Sequence, residues 1–241
     1  MIILGIETST EQVGCAIGGR EGVLASVHVT GGRRHAETLT PAIDFARRQA
    51  GIELSQVSII AVGLGPGLFT GLRVGVAAAK AIAMALRVPM VGLSSLDLLA
   101  FPVRHSPRLI VPVIDAKRGE VFTARYRHVP GGVQRMSDYD VMTPDDLASD
   151  LVAGAEECLL VGDGARRYAD LFAGDDRIEV GTVGTACPSA NALVELAQPR
   201  ALREEFVQPA EIEPMYLRKA DALINWSVRE TAGTVGAGGI A

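Results

Sequence analysis

The chain has 241 residues, of which 48% are apolar and 21% are charged, and its formal net charge is −5. Such a length fits one large domain or two small lobes, and the composition supports a well-buried core. The acidic balance argues against a stand-alone nucleic-acid binder, because phosphate contacts supply most non-specific affinity for nucleic acids. No apolar run reaches the ~18–20 residues of a membrane span, which predicts a chain without membrane contact.

The first residues predict a buried strand rather than a secretion signal. Residues 1–6 are apolar, carry no basic residue and are followed at once by Glu7. The three cysteines, Cys15, Cys158 and Cys187, lie far apart and form no CxxC pair. An odd number of separated thiols indicates a reducing compartment, so we expect a cytoplasmic protein.

The first hundred residues predict a mixed sheet with helices on its faces. Apolar runs at 2–6, 13–17 and 23–29 are separated by short glycine turns, which is typical of antiparallel strands. Strands predicted at 59–64 and 89–93 then alternate with helices at 35–50 and 76–86. Gly51 is expected to end the first helix. Pro41 either starts the regular part of that helix after a Thr40 cap or bends its first turn.

The prolines between residues 102 and 107 predict a boundary between two lobes, residues 1–104 and 105–230. The second lobe is predicted to begin with a hairpin over 109–114 and 120–127, followed by a strand over 133–141. A helix is expected after Thr143 and Pro144, a strand at 158–161 and a last helix from Ser189 to about residue 197. We expect this last helix to be able to pack back on the first lobe. Residues 231–241, rich in Gly and Ala, predict a disordered tail.

The most informative pattern is Gly-Pro-Gly-Leu-Phe-Thr-Gly-Leu-Arg-Val-Gly at residues 65–75, between a predicted strand and a predicted helix. Gly65, Gly67 and Gly71 are expected to relieve limits on φ in the turn, and Thr70 to cap the helix. Free N–H groups at a helix start could bind an anion. The Gly-Lys-Ser/Thr ending of a P-loop is missing, however, so we favour a backbone role over phosphate binding.

A second candidate for phosphate binding is the loop Glu7-Thr8-Ser9-Thr10. An acid followed by small hydroxyl residues after a first strand resembles the first phosphate loop of the actin, hexokinase and sugar-kinase fold; the alternative is a polar turn. A metal site is not expected. The four histidines (His28, His35, His105 and His128) form no i, i+3 or i, i+4 pair, and there is no HExxH motif. No catalytic triad can be assembled.

Two predicted helices carry small or apolar residues at intervals of three and four, which would let another helix approach closely. We predict a partner-binding face from these helices, with ordinary core packing as the alternative. The predicted face comprises His35, Leu39, Ile43, Ala46, Gly71, Gly75, Ala78, Ala79 and Ile82.

Seven motifs in order resemble the TsaB (YeaZ) family over roughly residues 1–220. They are Glu7-Thr8-Ser9-Thr10, His35-Ala36-Glu37, the glycine motif at 65–75, Ser94-Ser95-Leu96, Asp115-Ala116-Lys117-Arg118-Gly119-Glu120-Val121-Phe122, Val161-Gly162-Asp163-Gly164 and Pro214-Met215-Tyr216-Leu217-Arg218. The resemblance implies an α/β, two-lobed actin/hexokinase-like (ribonuclease H-like) fold with mixed sheets and flanking helices.

The resemblance also implies a non-catalytic function in the threonylcarbamoyladenosine modification of ANN-decoding tRNA, next to the anticodon. It implies that TsaD, the catalytic relative, binds the metal and threonylcarbamoyl-adenylate. This chain would pair with TsaD through helices of the first lobe, and TsaE, an ATPase, would join them. A homodimer is expected when the chain is alone, tRNA is expected only through the complex, and no cofactor is expected.

Two enzyme classes are the alternatives to a scaffold. One is an actin-fold enzyme that uses ATP, and the other is a glycoprotease-like metallopeptidase. Position 7 is glutamate where the family more often has aspartate, which weakens an inherited ATP site. The missing histidine pair and P-loop favour the scaffold over both alternatives.

Overall fold

The computed structural model describes residues 1–31 and 34–217. Three predicted features lie outside these residues: Arg218 of the last motif, the end of the second lobe and the tail at 231–241. The described part is a mixed α/β structure with two sheets and helices on their faces, as predicted.

The first sheet has the strand order β3-β2-β1-β4-β5 within the described residues. Its central strand β1 runs antiparallel to β2 and parallel to β4, so the predicted hairpins and crossovers are both present. The strands are β1 (Ile2–Glu7), β2 (Gln12–Gly19), β3 (Gly22–Thr30), β4 (Ile59–Gly63) and β5 (Met90–Leu93).

Helices cover both faces of this sheet because successive residues of β1 point to opposite sides. Leu4 and Ile6 pack with helices α1 (His35–Ala50) and α2 (Phe69–Leu86) on one face. Ile3 packs on the other face with α7 (Ala190–Leu202). The last helix of the chain therefore lies against the first sheet.

The helix ends confirm some predicted caps and correct others. Gly51 ends α1 in the left-handed region (φ 67°), as predicted. The helix already begins at His35, so Pro41 lies inside it and the Thr40 cap is wrong. The Thr70 cap is also wrong, because α2 begins at Phe69 and its N-cap is Leu68.

The second sheet has the order β10-β7-β6-β11-β12, with β8 paired to β6 and β9. The predicted strands at 120–127 and 133–141 are each divided in two. The first is interrupted at residues 124–125, where both parts keep β6 as a partner but the second partner changes from β10 to β9, and the second leaves the sheet at 136–139. The strands are β6 (Leu109–Lys117), β7 (Glu120–Thr123), β8 (Tyr126–Val129), β9 (Gly132–Arg135), β10 (Asp140–Met142), β11 (Cys158–Val161) and β12 (Ile178–Val180).

Four further helices belong to the connections and the second sheet. The first, α3 (Ser95–Ala100), is capped by Ser94. Thr143 caps α4 (Pro144–Gly154), as predicted from the Thr-Pro pair. The short helices α5 (Asp163–Arg167) and α6 (Ala169–Phe172) follow β11 and were not predicted.

The chain passes between the sheets twice within the described residues. The first connection, residues 94–108, joins β5 to β6, and the second, residues 181–189, joins β12 to α7. A terminal strap, residues 203–217, then crosses back over the first sheet. Val207 pairs with Met90, and the Nζ of Lys80 donates to the carbonyl of Ile212 at 3.1 Å. The strap therefore fixes the outer edge of the first sheet.

By length and composition, α2 is the one helix among the described residues that could cross a membrane. Its inner side contributes Leu72, Val76, Ala79 and Ala83 to the interior. A helix with such a buried side is an ordinary core helix of the first sheet.

Candidate functional site

The loop from Glu7 to Thr10 follows β1 and is fully enclosed by the chain itself. None of its four side chains is more than 2% exposed. The hydroxyl of Thr8 donates to the carbonyl of Gly71 at 2.8 Å, and the N–H of Leu68 donates to the carbonyl of Ser9 at 2.7 Å. The glycine motif therefore lies directly over the candidate phosphate loop and uses its Thr8 hydroxyl and Ser9 carbonyl, while the buried Ser9 hydroxyl has no partner among the described residues.

Close approach, rather than backbone angle, explains most glycines of the motif. Only Gly65 lies in the left-handed region (φ 93°) among the three predicted turn glycines. A β-carbon at residue 67 would overlap Ser9, and one at residue 71 would overlap the carbonyl of Thr8. At residue 75 it would overlap the Thr8 hydroxyl. The motif is a packing surface for the loop beneath it.

The Glu7 carboxylate is buried at the floor of this loop. It accepts hydrogen bonds from the Ser9 N–H at 2.6 Å and the Ser95 hydroxyl at 3.2 Å. Burial raises the pKa of Glu7, and the hydrogen bonds from Ser9 and Ser95 oppose that rise. The side chain also fills the space beside Gly63, where a β-carbon would overlap it. This acid is thus a packed, internally bonded group with no open approach.

His35, predicted on the partner face, joins α1 to the same loop. Its side chain is 4% exposed, and its Nε2 donates to the carbonyl of Thr10 at 2.7 Å. A hydrogen bond to a carbonyl fixes this nitrogen as the protonated one. His35 therefore anchors the start of α1 inside the chain.

Seven of the nine residues predicted on the partner face lie in the interior, so their assignment to a surface is wrong. Ala78 and Ile82 are half-buried, and the other seven are buried: His35, Leu39, Ile43, Ala46, Gly71, Gly75 and Ala79. These residues join α1 and α2 to the sheet and to the Glu7–Thr10 loop. Of the two interpretations left open by the sequence, core packing holds for this side of both helices.

The outer sides of α1 and α2 carry apolar residues that the sequence analysis missed. Phe45 of α1 is 52% exposed and Met84 of α2 is 66% exposed. Ala77, Ala81 and Ala85 of α2 are exposed as well. We call these five residues the outer apolar face. Because α2 is apolar all round, the spacing of its residues could not indicate which side faces the sheet; Phe45, alone among polar neighbours on α1, was the available signal.

A charged cluster joins the two sheets beside the Glu7–Thr10 loop. It consists of Glu11, Asp115, Lys117, Asp163 and Arg167. The sequence analysis assigned no charge contacts to these residues. Asp115 is 3% exposed and binds the Nζ of Lys117 and a guanidinium nitrogen of Arg167, both at 3.0 Å. Lys117 also reaches Glu11 of the first sheet at 3.4 Å. The cluster therefore links the β6–β7 turn to the β1–β2 loop.

Asp163, in the Gly-Asp-Gly turn after β11, belongs to the same cluster. Its carboxylate accepts from the N–H of Asp115 at 3.0 Å. Burial raises its pKa to about 6. Burial lowers the pKa of Lys117, but its contacts with Asp115 and Glu11 outweigh this and raise it overall. Burial thus moves the pKa of the Asp163 carboxyl towards the neutral range.

Among the described residues, no three His, Cys, Asp or Glu side chains group as metal ligands would. His28 belongs to β3 and its ring contacts the start of α7. The rings of His105 and His128 are 6.4 Å apart. The three cysteines are free thiols at separate positions.

Comparisons with protein families, with related sequences and with solved structures agree with one another. The family model described as TsaD, tRNA N6-adenosine threonylcarbamoyltransferase, matches residues 27–226. The tRNA threonylcarbamoyladenosine biosynthesis protein TsaB of Bacillus subtilis is 31% identical, over 94% of this chain and 98% of its own. Its namesake from Haemophilus influenzae is 30% identical, over 90% of this chain and 94% of its own.

The chain belongs to the TsaB family. These matches confirm the family that was predicted from the seven motifs. The match to the TsaD model places this family in a broader group that includes that transferase. The structure of YeaZ from Pseudomonas aeruginosa superposes with a TM-score of 0.78 at 28% identity, covering 90% of this chain and 99% of YeaZ.

The predicted two-lobed actin/hexokinase-like fold is confirmed by this likeness. Within this TsaB-family chain the Glu7–Thr10 loop is covered by the chain's own glycine motif.

Proposed function

We propose that this chain acts in tRNA threonylcarbamoyladenosine biosynthesis as a non-catalytic partner of TsaD. Its family and the printed names of its relatives support the biosynthetic role. The match to the TsaD model supports a partner of related fold, because paired domains of one fold often present equivalent faces to each other.

The enclosed Glu7–Thr10 loop supports a non-catalytic role. An active phosphate loop offers N–H groups and hydroxyls to its ligand. Here the Thr8 hydroxyl and the Ser9 N–H are already used by Gly71 and Glu7, in a loop at most 2% exposed. We therefore propose neither an ATP-using enzyme nor a metallopeptidase.

The outer apolar face is the observation that carries the proposal of a partner. Phe45 and Met84 are large apolar side chains more than half exposed, on two helices that pack against each other. An exposed apolar face of this kind is typical of a protein–protein interface. We propose that it binds TsaD in the complex and a second copy of this chain when TsaD is absent, and that TsaE joins the heterodimer.

The charge and the cysteines support the remaining parts of the proposal. A net charge of −5 is unfavourable for direct tRNA binding, so we propose that tRNA is reached only through the complex. Three free thiols fit a reducing compartment, so we propose a cytoplasmic protein.

Reconstitution of the tRNA modification tests the function. TsaD, TsaE, their substrates and tRNA are combined with this chain, without it, or with its Phe45→Glu/Met84→Glu variant. We expect no product without the chain. With the double variant we expect a rate lower by about tenfold or more than with the wild-type chain, since a buried charge opposes the contact. Val152→Glu, on the exposed side of α4 in the second lobe, is the matched control and should leave the rate unchanged.

Two results would contradict the proposal. One is a full modification rate when this chain is omitted. The other is ATP or peptide hydrolysis by the purified chain that is lost in Glu7→Gln, which would favour the enzyme alternatives.

A further inference from the structure

The outer apolar face lies on a ridge that runs along α2 to the first turn of that helix. Exposed residues lie at intervals of four along it: Phe69, Arg73, Ala77, Ala81 and Ala85. Residues four apart form one continuous ridge on a helix surface. At ~1.5 Å per residue, the ridge is about 24 Å long.

The terminal strap runs beside α2 from the end of the helix to its start. Val207 pairs with Met90, just past the end of the helix. At the start of the helix, the ring of Tyr216 lies 5.3 Å from that of Phe69, and the Nε of Arg73 donates to the Tyr216 hydroxyl at 3.4 Å. The strap therefore ends, within the described residues, at one end of the ridge.

The sequence that follows the strap contains an apolar stretch with charged residues on both sides. Its apolar members are Ala222, Leu223, Ile224, Trp226 and Val228. At ~3.3 Å per residue, the chain from Tyr216 to Trp226 can span up to about 33 Å, which exceeds the length of the ridge. The stretch is therefore long enough to reach Met84 at the far end of the outer apolar face.

We propose that residues 218–230 bind the outer apolar face of their own chain and leave it when TsaD or a second copy binds there. The proposal rests on the function proposed above, to which it adds a competitor for the same face. Phe45 and Met84 are more than half exposed, so contact with apolar side chains removes a large apolar area from water. The segment therefore regulates access to the face.

A segment of the same chain has an advantage over a separate molecule. Its effective concentration at the face is on the order of 1 mM. With an affinity on the order of 0.1 mM, the segment covers about nine tenths of the free chains. Because a symmetric dimer needs two uncovered faces, its dissociation constant is then raised about a hundredfold. The segment thus sets the concentration above which the chain self-associates.

Trp226 is the only tryptophan of the chain, so the fluorescence of the full chain reports directly on the segment. Acrylamide quenching is measured at a concentration at which light scattering shows a monomer. We expect quenching to be about threefold weaker in the wild type than in Phe45→Glu/Met84→Glu, whose charges oppose the contact. Val152→Glu, on the second lobe, is the matched control and should be quenched as the wild type is.

Substitutions in the segment itself provide the second arm. Leu223→Asp/Ile224→Asp should lower the dissociation constant of the dimer, measured by light scattering, by about tenfold or more, because it uncovers the face. Thr231→Asp/Thr234→Asp adds the same two charges beyond the segment and is the matched control. It should leave the dissociation constant unchanged.

Equal quenching in the wild type and in Phe45→Glu/Met84→Glu overturns the proposal, and so does a dimer that Leu223→Asp/Ile224→Asp fails to strengthen. If no dimer forms at any concentration, the quenching comparison decides alone. Should the double variant fail to fold, Ala81→Glu on the same ridge takes its place. Both measurements use the isolated chain, so a failure to pair with TsaD in the reconstitution is seen separately.

Discussion

The hydroxyl of Thr8 occupies the space that a β-carbon at residue 75 would need. This relationship ties the second turn of α2 to the loop after β1, two segments separated by more than sixty residues. It also explains why a glycine stands in the middle of a helix, where it lowers helix stability by roughly 0.5–1 kcal/mol relative to alanine.

Gly75→Ala is therefore expected to lower the free energy of unfolding by about 1–3 kcal/mol. The added methyl group must displace Thr8 and disturb its hydrogen bond to the Gly71 carbonyl, which outweighs the gain in helix propensity. Urea denaturation followed by circular dichroism measures the difference. Gly154→Ala, at the end of α4 with open space around it, is the control and should change the stability by less than about 1 kcal/mol.

A double variant separates this contact from a general effect of residue 75. Thr8→Ala removes the hydroxyl and the γ-methyl group that a β-carbon at residue 75 would meet. The combination Thr8→Ala/Gly75→Ala should be more stable than the sum of the single changes by about 0.5 kcal/mol or more. Simple additivity would show that the contact is not the cause.

His28 is expected to make the stability of the chain fall in mild acid. Its Nε2 accepts from the N–H of Ala190 at the start of α7 at 3.3 Å, and burial lowers its pKa. A proton on this nitrogen would remove the acceptor and place a positive charge at a helix N-terminus. Because the folded pKa lies below the unfolded value of about 6.5, stability present above pH 6.5 is lost as the pH falls.

The measurement compares unfolding of wild type and His28→Gln at pH 7.5 and 5.5. Between these values the wild type should lose about 0.5–1 kcal/mol more than the variant, which keeps an acceptor but does not titrate. Buried acids such as Asp163 change the stability with pH in the opposite direction to His28. Both proteins contain these acids, so their effect cancels in the comparison. An equal loss in both proteins would show that His28 does not titrate differently on folding.

Asp163 is expected to destabilise the chain at neutral pH. Its pKa of about 6 in the folded chain lies above the ordinary value of 3.8. The protonated carboxyl therefore favours the folded state at low pH. This contribution to the free energy of unfolding is lost as the pH rises from 3.8 through 6. Asp163→Asn keeps the oxygen that accepts from Asp115. The variant should be more stable at pH 7.5 by about 2 kcal/mol, and the gain should shrink as the pH falls towards 4.

Guanidinium denaturation across this pH range measures the effect. Asp176→Asn, on an exposed turn of the second lobe, is the control and should show no comparable gain. A gain for Asp163→Asn that does not depend on pH would point to a cause other than its ionisation.

Self-association through the outer apolar face should depend on Met84. In light-scattering experiments across a concentration series, the isolated wild-type chain is expected to form a dimer. Met84→Glu should shift it to the monomer at the same concentrations, because a charge would be buried in the contact. The melting temperature should stay within about 2 °C, since Met84 is 66% exposed in the single chain. A dimer that persists would place the contact elsewhere.

The sequence predicted the backbone pattern well wherever a local signal was strong. Thr143 followed by Pro144 located the start of α4, and Ser189 located that of α7. The glycines that separate the apolar runs at 2–6, 13–17 and 23–29 predicted the antiparallel hairpins of the first sheet. Local signals failed where pairing is non-local: residues 120–127 were predicted as one strand, yet β7 and β8 are separate strands that share β6 and differ in their second partners, β10 and β9.

The candidate site was harder to predict than the fold. The small residues of α2 were identified correctly, but their spacing is equally compatible with a partner helix and with the Glu7–Thr10 loop, and the loop lies too far away in sequence to be anticipated. Asp115 and Asp163 belong to separate turns, and only the pairing of β6 with β11 brings them together. Such groups leave no periodic signal in the sequence.

The position of α7 has a consequence for how the chain is made. Its residues cover the face of the first sheet that contains Ile3, yet they are synthesised roughly a hundred residues after β5 completes that sheet. At ~5–20 residues per second, the uncovered face waits on the order of 5–20 seconds on the ribosome. The first lobe is therefore a late-maturing unit, and the nascent chain is the form of this protein for which we expect the greatest need of a chaperone.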